Sequence, residues 1–183
     1  IGEARYVFDF SHEKNIFMWN AMLNGLVRNE QQEEAIQMFW YMMRLGLEAD
    51  EFTFVGVLGA CAYLDSHCLG RQVQCVTIKN GMAASLLVAN ATLDMHSKFG
   101  ATDDAKTLFN LIPYKDSVSW NALIVGLAHS GGEEEAIGML GLMNADGITP
   151  DEVSFATVVN ACSNIRATET GKQIHCLAMK YSI

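Results

Sequence analysis

The chain has 183 residues, half of them apolar, and carries a formal net charge of −9 at pH 7 from 12 basic and 21 acidic residues. This length allows one ordinary domain with a sizeable core, and no apolar run approaches the roughly 18 uncharged residues that a membrane-spanning helix needs. The acidic balance argues against tight binding to nucleic-acid phosphates, which basic patches normally supply. The composition therefore predicts a soluble, mostly helical protein that makes little use of phosphate contacts.

Starting from its N-terminus, the sequence repeats itself after 101 residues, with 25 of the 82 overlapping positions identical. Trp19-Asn20-Ala21 recurs as Trp120-Asn121-Ala122, and Glu33-Glu34-Ala35-Ile36 recurs as Glu134-Glu135-Ala136-Ile137. Self-similarity of this kind is the signature of a repeat protein. The 101-residue period is therefore the basis for dividing the whole chain into segments.

The 101-residue unit divides into segments of 35, 35 and 31 residues with a common plan. Each segment has an apolar first helix, a Gly or polar break, and an amphipathic second helix followed by a turn. In chain order, the predicted elements are a second helix alone in 1–15 and helix pairs in 16–50, 51–85, 86–116, 117–151 and 152–183.

Segment 117–151 shows the plan most clearly. Ser130-Gly131-Gly132 interrupts the helical pattern, and three glutamates follow at the start of the second helix, where the helix dipole favours acidic residues. Gly147 and Pro150 end that helix. The apolar faces consist of Trp120, Leu123, Ile124 and Leu127 in the first helix and Ala136, Met139, Leu140 and Met143 in the second.

A single helix pair of this kind cannot bury its apolar face, whereas stacked neighbours can. The sequence therefore predicts an all-α fold, an α-solenoid in which helix-turn-helix repeats form a right-handed superhelix with almost no strand. We also expect self-association through the exposed repeat ends, because the apolar faces there lack a neighbour. The predicted core contacts of the second helices are Ala4 with Phe8, Ala35 with Phe39 and Ala105 with Phe109.

The five cysteines form an odd set with no C-x-x-C pair, which argues against a disulfide framework and against a zinc site. Cys61, Cys68 and Cys75 are spaced by seven residues and fall on similar helix faces, so a metal site stays open as the alternative. We expect burial of these three as small apolar side chains, with no metal or other cofactor. The remaining two cysteines are Cys162 and Cys176.

Three sequence features together identify a known family. The first 35-residue segment opens with Ile16-Phe17-Met18-Trp19-Asn20-Ala21, the second carries Ala60-Cys61 and Gly70-Arg71-Gln72-Val73, and the 31-residue segment ends in Ile112-Pro113-Tyr114-Lys115-Asp116. Over essentially the whole chain, this alternation resembles the P, L and S motifs of the PLS subclass of pentatricopeptide repeat proteins. The resemblance makes 16–50 and 117–151 P-type, 51–85 and the truncated 152–183 L-type, 86–116 S-type, and 1–15 the second helix of a truncated S-type repeat.

By resemblance, the chain binds single-stranded RNA and reads one base per repeat through the fifth and last residues of each repeat. An Asn amide offers a donor and an acceptor to a pyrimidine, and a neighbouring carboxylate can fix its orientation. The family's code then implies uracil, with cytosine second. The reading pairs are Asn20 with Asp50, Asn90 with Asp116, and Asn121 with Asp151.

The L-type repeats depart from this pattern, since they place Val55 with Ser85, and Ala156 with no partner, at the reading positions. The implied target is therefore 5′-U-N-U-U-3′. A structural alternative stays open for the reading pairs, because asparagine at a helix start and aspartate in a turn are common for local reasons.

The second residue of each repeat is apolar, and in the family it packs against the bases. These residues are Phe17, Phe52, Leu87, Val118 and Val153. Without the resemblance they would be interpreted as core residues of an ordinary helical protein. Both interpretations stay open on the sequence alone.

No enzyme signature is present. The histidines are scattered, none opens the H-x-E pattern of a zinc deaminase, and the sequence has no phosphate-binding loop or nucleophile elbow. Longer members of the PLS subclass often carry a C-terminal deaminase-like domain. The resemblance therefore implies that this chain is the targeting part of a C-to-U RNA-editing factor, without catalytic residues of its own.

The resemblance also implies a mitochondrial or chloroplast location and an organellar editing cofactor that docks on the L-type repeats, with no membrane or small-molecule partner. The first residues contain neither an initiator Met nor a signal-peptide pattern, so we expect a longer parent protein.

The competing hypothesis is a tetratricopeptide-like helical scaffold that binds proteins and not RNA. The alternating segment lengths disagree with its constant repeat length, whereas the net charge of −9 favours it.

Overall fold

The computed structural model describes residues 1–11 and 13–181, which form eleven α-helices and one short 3-10 helix, with no strand among them. The prediction of an all-α fold is therefore confirmed. Two compact units divide the chain, Ile1–Met95 and His96–Ile183, and each is described by itself. Within each unit, consecutive helices pack on one another as pairs.

First and second members of a pair alternate along the chain. The first helices are α2 (Ile16–Arg28), α4 (Glu51–Tyr63), α6 (Leu86–Lys98), α8 (Ser117–His129) and α10 (Glu152–Asn164). The second helices are α1 (Gly2–Phe10), α3 (Gln32–Arg44), α5 (His67–Lys79), α7 (Thr102–Leu111), α9 (Glu133–Ala145) and α11 (Thr168–Lys180), and the 3-10 helix Met82–Ala84 follows α5. Every first helix begins at the first residue of a predicted segment. The 31-residue segment is short mainly because α7 has 10 residues where α3 has 13.

A three-residue turn of fixed backbone shape joins the two helices of each described pair. The N–H of its last residue donates to the carbonyl five residues earlier, as from Gln31 to Leu26 at 2.9 Å, which is a Schellman-type bond. Three of the five turns place a non-glycine residue in a left-handed backbone, at a penalty of about 1–2 kcal/mol each. The middle residues have φ values of 60° at Glu30, 49° at Asp65, 66° at Gly100, 81° at Gly131 and 56° at Arg166.

An aromatic contact joins the second helix of one segment to the first helix of the next. In the first unit, Phe8 of α1 makes a T-shaped contact with Trp19 of α2 at a centroid distance of 4.9 Å, and Lys14 Nζ lies 5.3 Å from the Phe8 ring. The second unit repeats this arrangement with Phe109, Trp120 and Lys115, at 4.8 Å and 4.9 Å. The indole nitrogens of both tryptophans are buried without a hydrogen-bond partner, so packing and ring electrostatics hold these indoles in place.

Most of the predicted core is buried. The predicted face of α8 is fully covered, and Ala35, Phe39, Ala105, Phe109 and Phe8 are buried in the second helices. Ala4 is exposed, so its interpretation as a core contact is wrong. The physical reason is that none of the described helices packs on the side of α1 that carries Ala4.

Gly126 allows α8 to lie against Ser97 near the end of α6. A Cβ at Gly126 would stand 2.5 Å from both Cβ and Oγ of Ser97 and 3.0 Å from its Cα. Backbone atoms cannot move aside as the end of a flexible side chain can. At Gly141 of α9, by contrast, an added Cβ would meet no neighbour within 4 Å.

We expect Gly126→Ala to destabilise the protein by about 1–3 kcal/mol, because the methyl group would overpack the contact with Ser97. Gly141→Ala is the matched control, and it should raise stability by roughly 0.5–1 kcal/mol, because alanine is the better helix former. Urea unfolding followed by circular dichroism measures both changes. Equal effects of the two substitutions would show that Gly126 is not needed for the close approach.

Aspartates at the N-termini of three first helices form capping boxes. Each carboxylate accepts a hydrogen bond from the backbone N–H three residues later, and the hydroxyl of that later residue accepts from the N–H of the aspartate. Burial opposes the charge of Asp50, but hydrogen bonds from Thr53, Asn20 and Phe52 outweigh it and lower the pKa of Asp50. The three boxes are Asp50 with Thr53, Asp116 with Ser119, and Asp151 with Ser154.

Asp50→Asn tests the charge of this cap. Because the pKa of Asp50 is lower in the folded than in the unfolded chain, its carboxylate stabilises the fold at neutral pH, and this contribution is lost as the pH falls below about 4. The variant keeps a capping side chain without the titrating group, so it should be less stable than wild type at neutral pH by roughly 1 kcal/mol. Urea unfolding at several pH values should show this difference shrinking in acid. Parallel stability profiles for the two proteins would contradict the assignment.

Candidate nucleic-acid interface

Asn20 and Asp50 meet in the first unit. Asn20 lies in the second turn of α2, and Asp50 caps the N-terminus of α4, which packs on α2. The Nδ2 atom of Asn20 donates to Oδ1 and Oδ2 of Asp50, both at 2.9 Å. An ionised carboxylate only accepts hydrogen bonds, so it fixes the nitrogen end of the amide.

Thr53 holds the oxygen end of the same amide. Its hydroxyl donates to Oδ1 of Asn20 at 2.6 Å, and its backbone N–H donates to Oδ1 of Asp50 at 2.9 Å. The N–H of Asp50 donates to the Thr53 hydroxyl at 3.2 Å. These three residues form a closed polar group, named here the first amide cluster, in which both ends of the Asn20 amide are anchored.

The second unit contains the same arrangement 101 residues later. Nδ2 of Asn121 donates to Oδ2 of Asp151 at 2.8 Å, and the Ser154 hydroxyl donates to Oδ1 of Asn121 at 2.6 Å. The backbone N–H of Ser154 donates to Oδ1 of Asp151 at 3.0 Å. Asn121, Asp151 and Ser154 are therefore the second amide cluster.

The third predicted pair has one member in each unit. Asn90 is buried in α6 within the first unit, and Asp116 caps α8 in the second. The backbone N–H of Ser119 donates to Oδ1 of Asp116 at 2.9 Å. Asp116 and Ser119 thus make the cap that Asp50 and Thr53 make in the first unit.

Both cluster aspartates are ionised at neutral pH. Burial disfavours the charge of Asp151, as it does at Asp50, but hydrogen bonds from Ser154, Asn121 and Val153 lower the pKa of Asp151. Each cluster therefore presents its amide, and not its acid, as the mixed donor and acceptor. A phosphate close to either carboxylate would be repelled, so the clusters suit the edge of a base better than a backbone phosphate.

The five apolar residues at the second place of the segments are all exposed. Their exposed fractions are 76% at Phe17, 60% at Phe52, 49% at Leu87, 56% at Val118 and 51% at Val153. The core interpretation is therefore wrong for all five, and their packing against bases stays a prediction. Phe17 and Val118 lie three residues before Asn20 and Asn121, on the same helix face, so an apolar side chain stands beside each cluster.

The predicted reading positions of segments 51–85 and 152–183 have no comparable polar group. Val55 is half-buried in α4, and Ala156 is exposed on α10. Ser85 follows the 3-10 helix and is half-buried. Neither Val55 nor Ala156 has an amide that a neighbour could orient, and the expected lack of base specificity there stays a prediction.

The hydroxyl residues of the clusters are functional candidates that the sequence interpretation missed. Thr53 and Ser154 each lie three residues after an aspartate, a spacing that marks a capping box. That signal indicates a local cap at the start of a helix. The contact of Thr53 with Asn20, 33 positions earlier, depends on the packing of α2 against α4 and has no sequence signature.

The cysteines divide into a buried and an exposed group. Cys61 and Cys162 are buried, which raises the pKa of both thiols, to about 11 at Cys61. Cys68, Cys75 and Cys176 are exposed, so the expectation of burial is wrong for Cys68 and Cys75. Among the described residues, no group of His, Cys, Asp or Glu is placed to hold a metal ion.

No helix in the described part of the chain is both long and apolar enough to cross a membrane.

Several solved structures with the same fold are RNA complexes. The chain matches the pentatricopeptide repeat protein PPR10, in complex with an 18-nt psaJ RNA element, with a TM-score of 0.78 at 18% identity over 93% of this chain and 26% of that one. The PPR domain of Arabidopsis thaliana protein-only RNase P 1, in complex with tRNA, gives a TM-score of 0.67 at 12% identity, covering 92% of this chain and 91% of that one. The fold is therefore that of the PPR α-solenoids.

Several curated relatives are closer in sequence than these structures. A mitochondrial pentatricopeptide repeat-containing protein of Arabidopsis thaliana is 35% identical over 97% of this chain, and a chloroplastic one is 32% identical over 98%. The chain spans 17% and 21% of the lengths of these two relatives. The sequence model of the PPR repeat family matches residues 14–62 and 115–164, which together are more than half of the chain. The chain therefore belongs to the pentatricopeptide repeat (PPR) family.

Proposed function

We propose that this chain is a segment of a PPR array that binds single-stranded RNA and reads one base per repeat. The observation that carries this proposal is the pair of amide clusters, in which Asn20 and Asn121 are each anchored at both ends beside an exposed apolar side chain. PPR10 and the RNase P 1 PPR domain, which share the fold, are both in complex with RNA. The proposed role includes no catalysis by this chain.

The second amide cluster leaves a defined hydrogen-bonding edge on Asn121. An Asn amide has two N–H donors and two carbonyl lone pairs, and the cluster uses one of each. The remaining donor and lone pair complement a carbonyl oxygen and the N3–H of uracil. We assign uracil first and cytosine second, as the family resemblance implies, to Asn20 with Asp50, Asn90 with Asp116, and Asn121 with Asp151.

The exposed apolar residues supply the second part of the interaction. Phe17 and Phe52 in the first unit, and Val118 and Val153 in the second, are exposed close in sequence to the cluster residues. Packing on a base contributes roughly 1–3 kcal/mol, so three reading repeats contribute about 3–9 kcal/mol before ordering costs. The Kd of this chain alone is then in about the micromolar to millimolar range.

The order of the repeats sets the order of the bases. By family resemblance the array runs parallel to RNA in the 5′ to 3′ direction, so the proposed target of residues 16–151 is 5′-U-N-U-U-3′. The repeat at 51–85 is the spacer, because Val55 has no polar atom with which to read a base edge. The repeat at 152–183 is given no base for the same reason, since its fifth residue is Ala156.

We place the segment in the PLS subclass because of its 35, 35, 31 order, and propose that it targets an organellar C-to-U editing factor. The mitochondrial and chloroplastic relatives support an organellar location.

An editing cofactor that docks on the L-type repeats should tighten RNA binding. Titration of RNA with and without the cofactor measures this effect. Self-association rests on the exposed Tyr6, Val7 and Phe10 of α1, and sedimentation at rising concentration measures it.

Titration with short RNAs tests the proposed function. We expect 5′-UAUU-3′ to shift the NMR signals of Asn20 and Asn121, with a Kd of about micromolar to millimolar, and 5′-AAAA-3′ to shift them much less. The affinity should depend only weakly on salt, because a chain with a net charge of −9 neutralises few phosphates. No shift with either RNA at millimolar concentration would refute RNA reading and favour the protein-binding scaffold.

Asn121→Thr should change the base preference at one position. On the family's code, a threonine beside Asp151 favours guanine over uracil, because a hydroxyl presents a different pattern of donor and acceptor. The ratio of affinities for 5′-UAUG-3′ and 5′-UAUU-3′ should rise by roughly tenfold. Competition titrations measure this ratio.

The first base of the same RNAs is the internal control for Asn121→Thr. Asn20 reads that base in the proposal, and its cluster lies in the other unit. The preference for uracil there should not change. If Asn121→Thr instead weakens binding to every RNA equally, Asn121 has a structural role only.

A further inference from the structure

We infer that the hydroxyl at the third residue of a first helix sets the base specificity of the preceding repeat by positioning its reading asparagine. The residues are Thr53, which positions Asn20, and Ser154, which positions Asn121. This inference rests on the proposed function and adds a third determinant to the fifth and last residues of the repeat. Each base is then read with the help of a side chain from the next repeat.

The hydroxyl hydrogen of Thr53 has one favoured acceptor. Oγ1 lies 2.6 Å from Oδ1 of Asn20 but 3.0 Å from Oδ1 of Asp50. The Asp50 oxygen already accepts from the Thr53 N–H and from Nδ2 of Asn20, both at 2.9 Å. The shorter contact, to the acceptor with fewer donors, therefore takes the hydrogen.

The two hydrogen-bond partners of the Asn20 amide, the Asp50 carboxylate and the Thr53 hydroxyl, fix different parts of its orientation. The carboxylate of Asp50 decides which end of the amide is nitrogen. It leaves the tilt of the amide plane less defined, because rotation about the terminal torsion of asparagine is broad. The Thr53 hydroxyl holds the oxygen end and so defines the tilt. The two hydrogen bonds also polarise the amide in the same sense, which strengthens the donor and acceptor left for a base.

Burial makes this coupling tight. The side chains of Thr53 and Ser154 are fully buried, so water does not compete for their hydroxyls. A buried hydroxyl that loses its acceptor is penalised by its desolvation, which favours the amide orientation seen in both clusters. The other neighbour of Ser154 Oγ outside its cluster is the sulfur of Met143 at 3.7 Å, a much weaker acceptor than Oδ1 of Asn121.

Repeats with and without an asparagine at the fifth residue can be compared within this chain. Where the fifth residue is Val55, with no amide to orient, the third residue of the next first helix is Val88, which is buried and has no hydroxyl. The hydroxyl thus accompanies the asparagine and is absent where the asparagine is absent. The corresponding pairs are Asn20 with Thr53, Asn90 with Ser119, and Asn121 with Ser154.

Thr53→Val removes the hydroxyl and nearly keeps the side-chain shape, and Thr53→Ser is the conservative rescue. We expect Thr53→Val to lower the discrimination between 5′-UAUU-3′ and 5′-AAUU-3′ about two- to tenfold, the value of one hydrogen bond. Discrimination at the fourth base, read by Asn121, should stay unchanged, and Thr53→Ser should behave like wild type. Ser154→Ala should give the reciprocal result, with loss at the fourth base and none at the first.

The positioning can also be measured without RNA. Nitrogen-15 relaxation of the side-chain NH₂ group of Asn20 reports how rigidly the amide is held. Its order parameter should fall in Thr53→Val and be retained in Thr53→Ser, while that of Asn121 stays the same in both. A residue that only capped α4 would leave the Asn20 amide unchanged.

The outcomes separate this inference from the proposed function. If wild type does not discriminate at either base, RNA reading itself fails. If wild type discriminates and Thr53→Val does so equally well, or loses affinity for every RNA by the same factor, Thr53 is a helix cap only and the inference is overturned. Should Thr53→Val fail to fold, Ser154→Ala in the other unit decides the same question.

Discussion

One carboxylate at a repeat junction serves both the fold and the proposed reading of RNA. Asp50 completes the capping box of α4 and, with the same side chain, holds the amide of Asn20 on α2. Asp151 does the same for α10 and Asn121. Because the hydrogen bonds keep these carboxylates ionised, each can only accept, and the amide nitrogen must face it. Helix capping, stacking of neighbouring repeats and amide orientation therefore depend on the same few hydrogen bonds.

This arrangement reconciles base reading with a net charge of −9. The cluster carboxylates are hydrogen-bonded within the protein, and each holds a neutral amide, buried at Asn20 and half-buried at Asn121, beside an exposed apolar side chain, Phe17 or Val118. On the proposed function, affinity comes from base edges and base faces and little from phosphates. Each repeat then contributes only modestly, and a longer array accumulates affinity and selectivity. The curated relatives are several times longer than this chain.

The turns within the repeats keep their backbone geometry although their residues differ. The turn between paired helices has a left-handed middle residue whether that residue is Gly131, Glu30 or Arg166, because the Schellman-type hydrogen bond and the packing of the two helices impose the shape. The aromatic junction, by contrast, repeats both residue types and distances, since Phe8 with Trp19 and Phe109 with Trp120 fill equivalent spaces. The amide clusters are intermediate. Asparagine and aspartate are the same in both clusters, whereas the hydroxyl comes from threonine at Thr53 and from serine at Ser154.

Local features of the sequence determined the helices and their starting residues, because apolar periodicity, capping aspartates and the 101-residue duplication are all legible without a partner helix. The pairing of Asn20 with Asp50 followed from the family resemblance and not from these local features. Tertiary structure alone decided that Phe17 and Phe52 are exposed, that Ala4 is uncovered and that Thr53 reaches Asn20. Helical periodicity identifies which residues share a face, but not which face another helix covers. That choice, and the hydrogen bonds that hold the Asn20 and Asn121 amides, are made when α2 packs on α4 and α8 packs on α10.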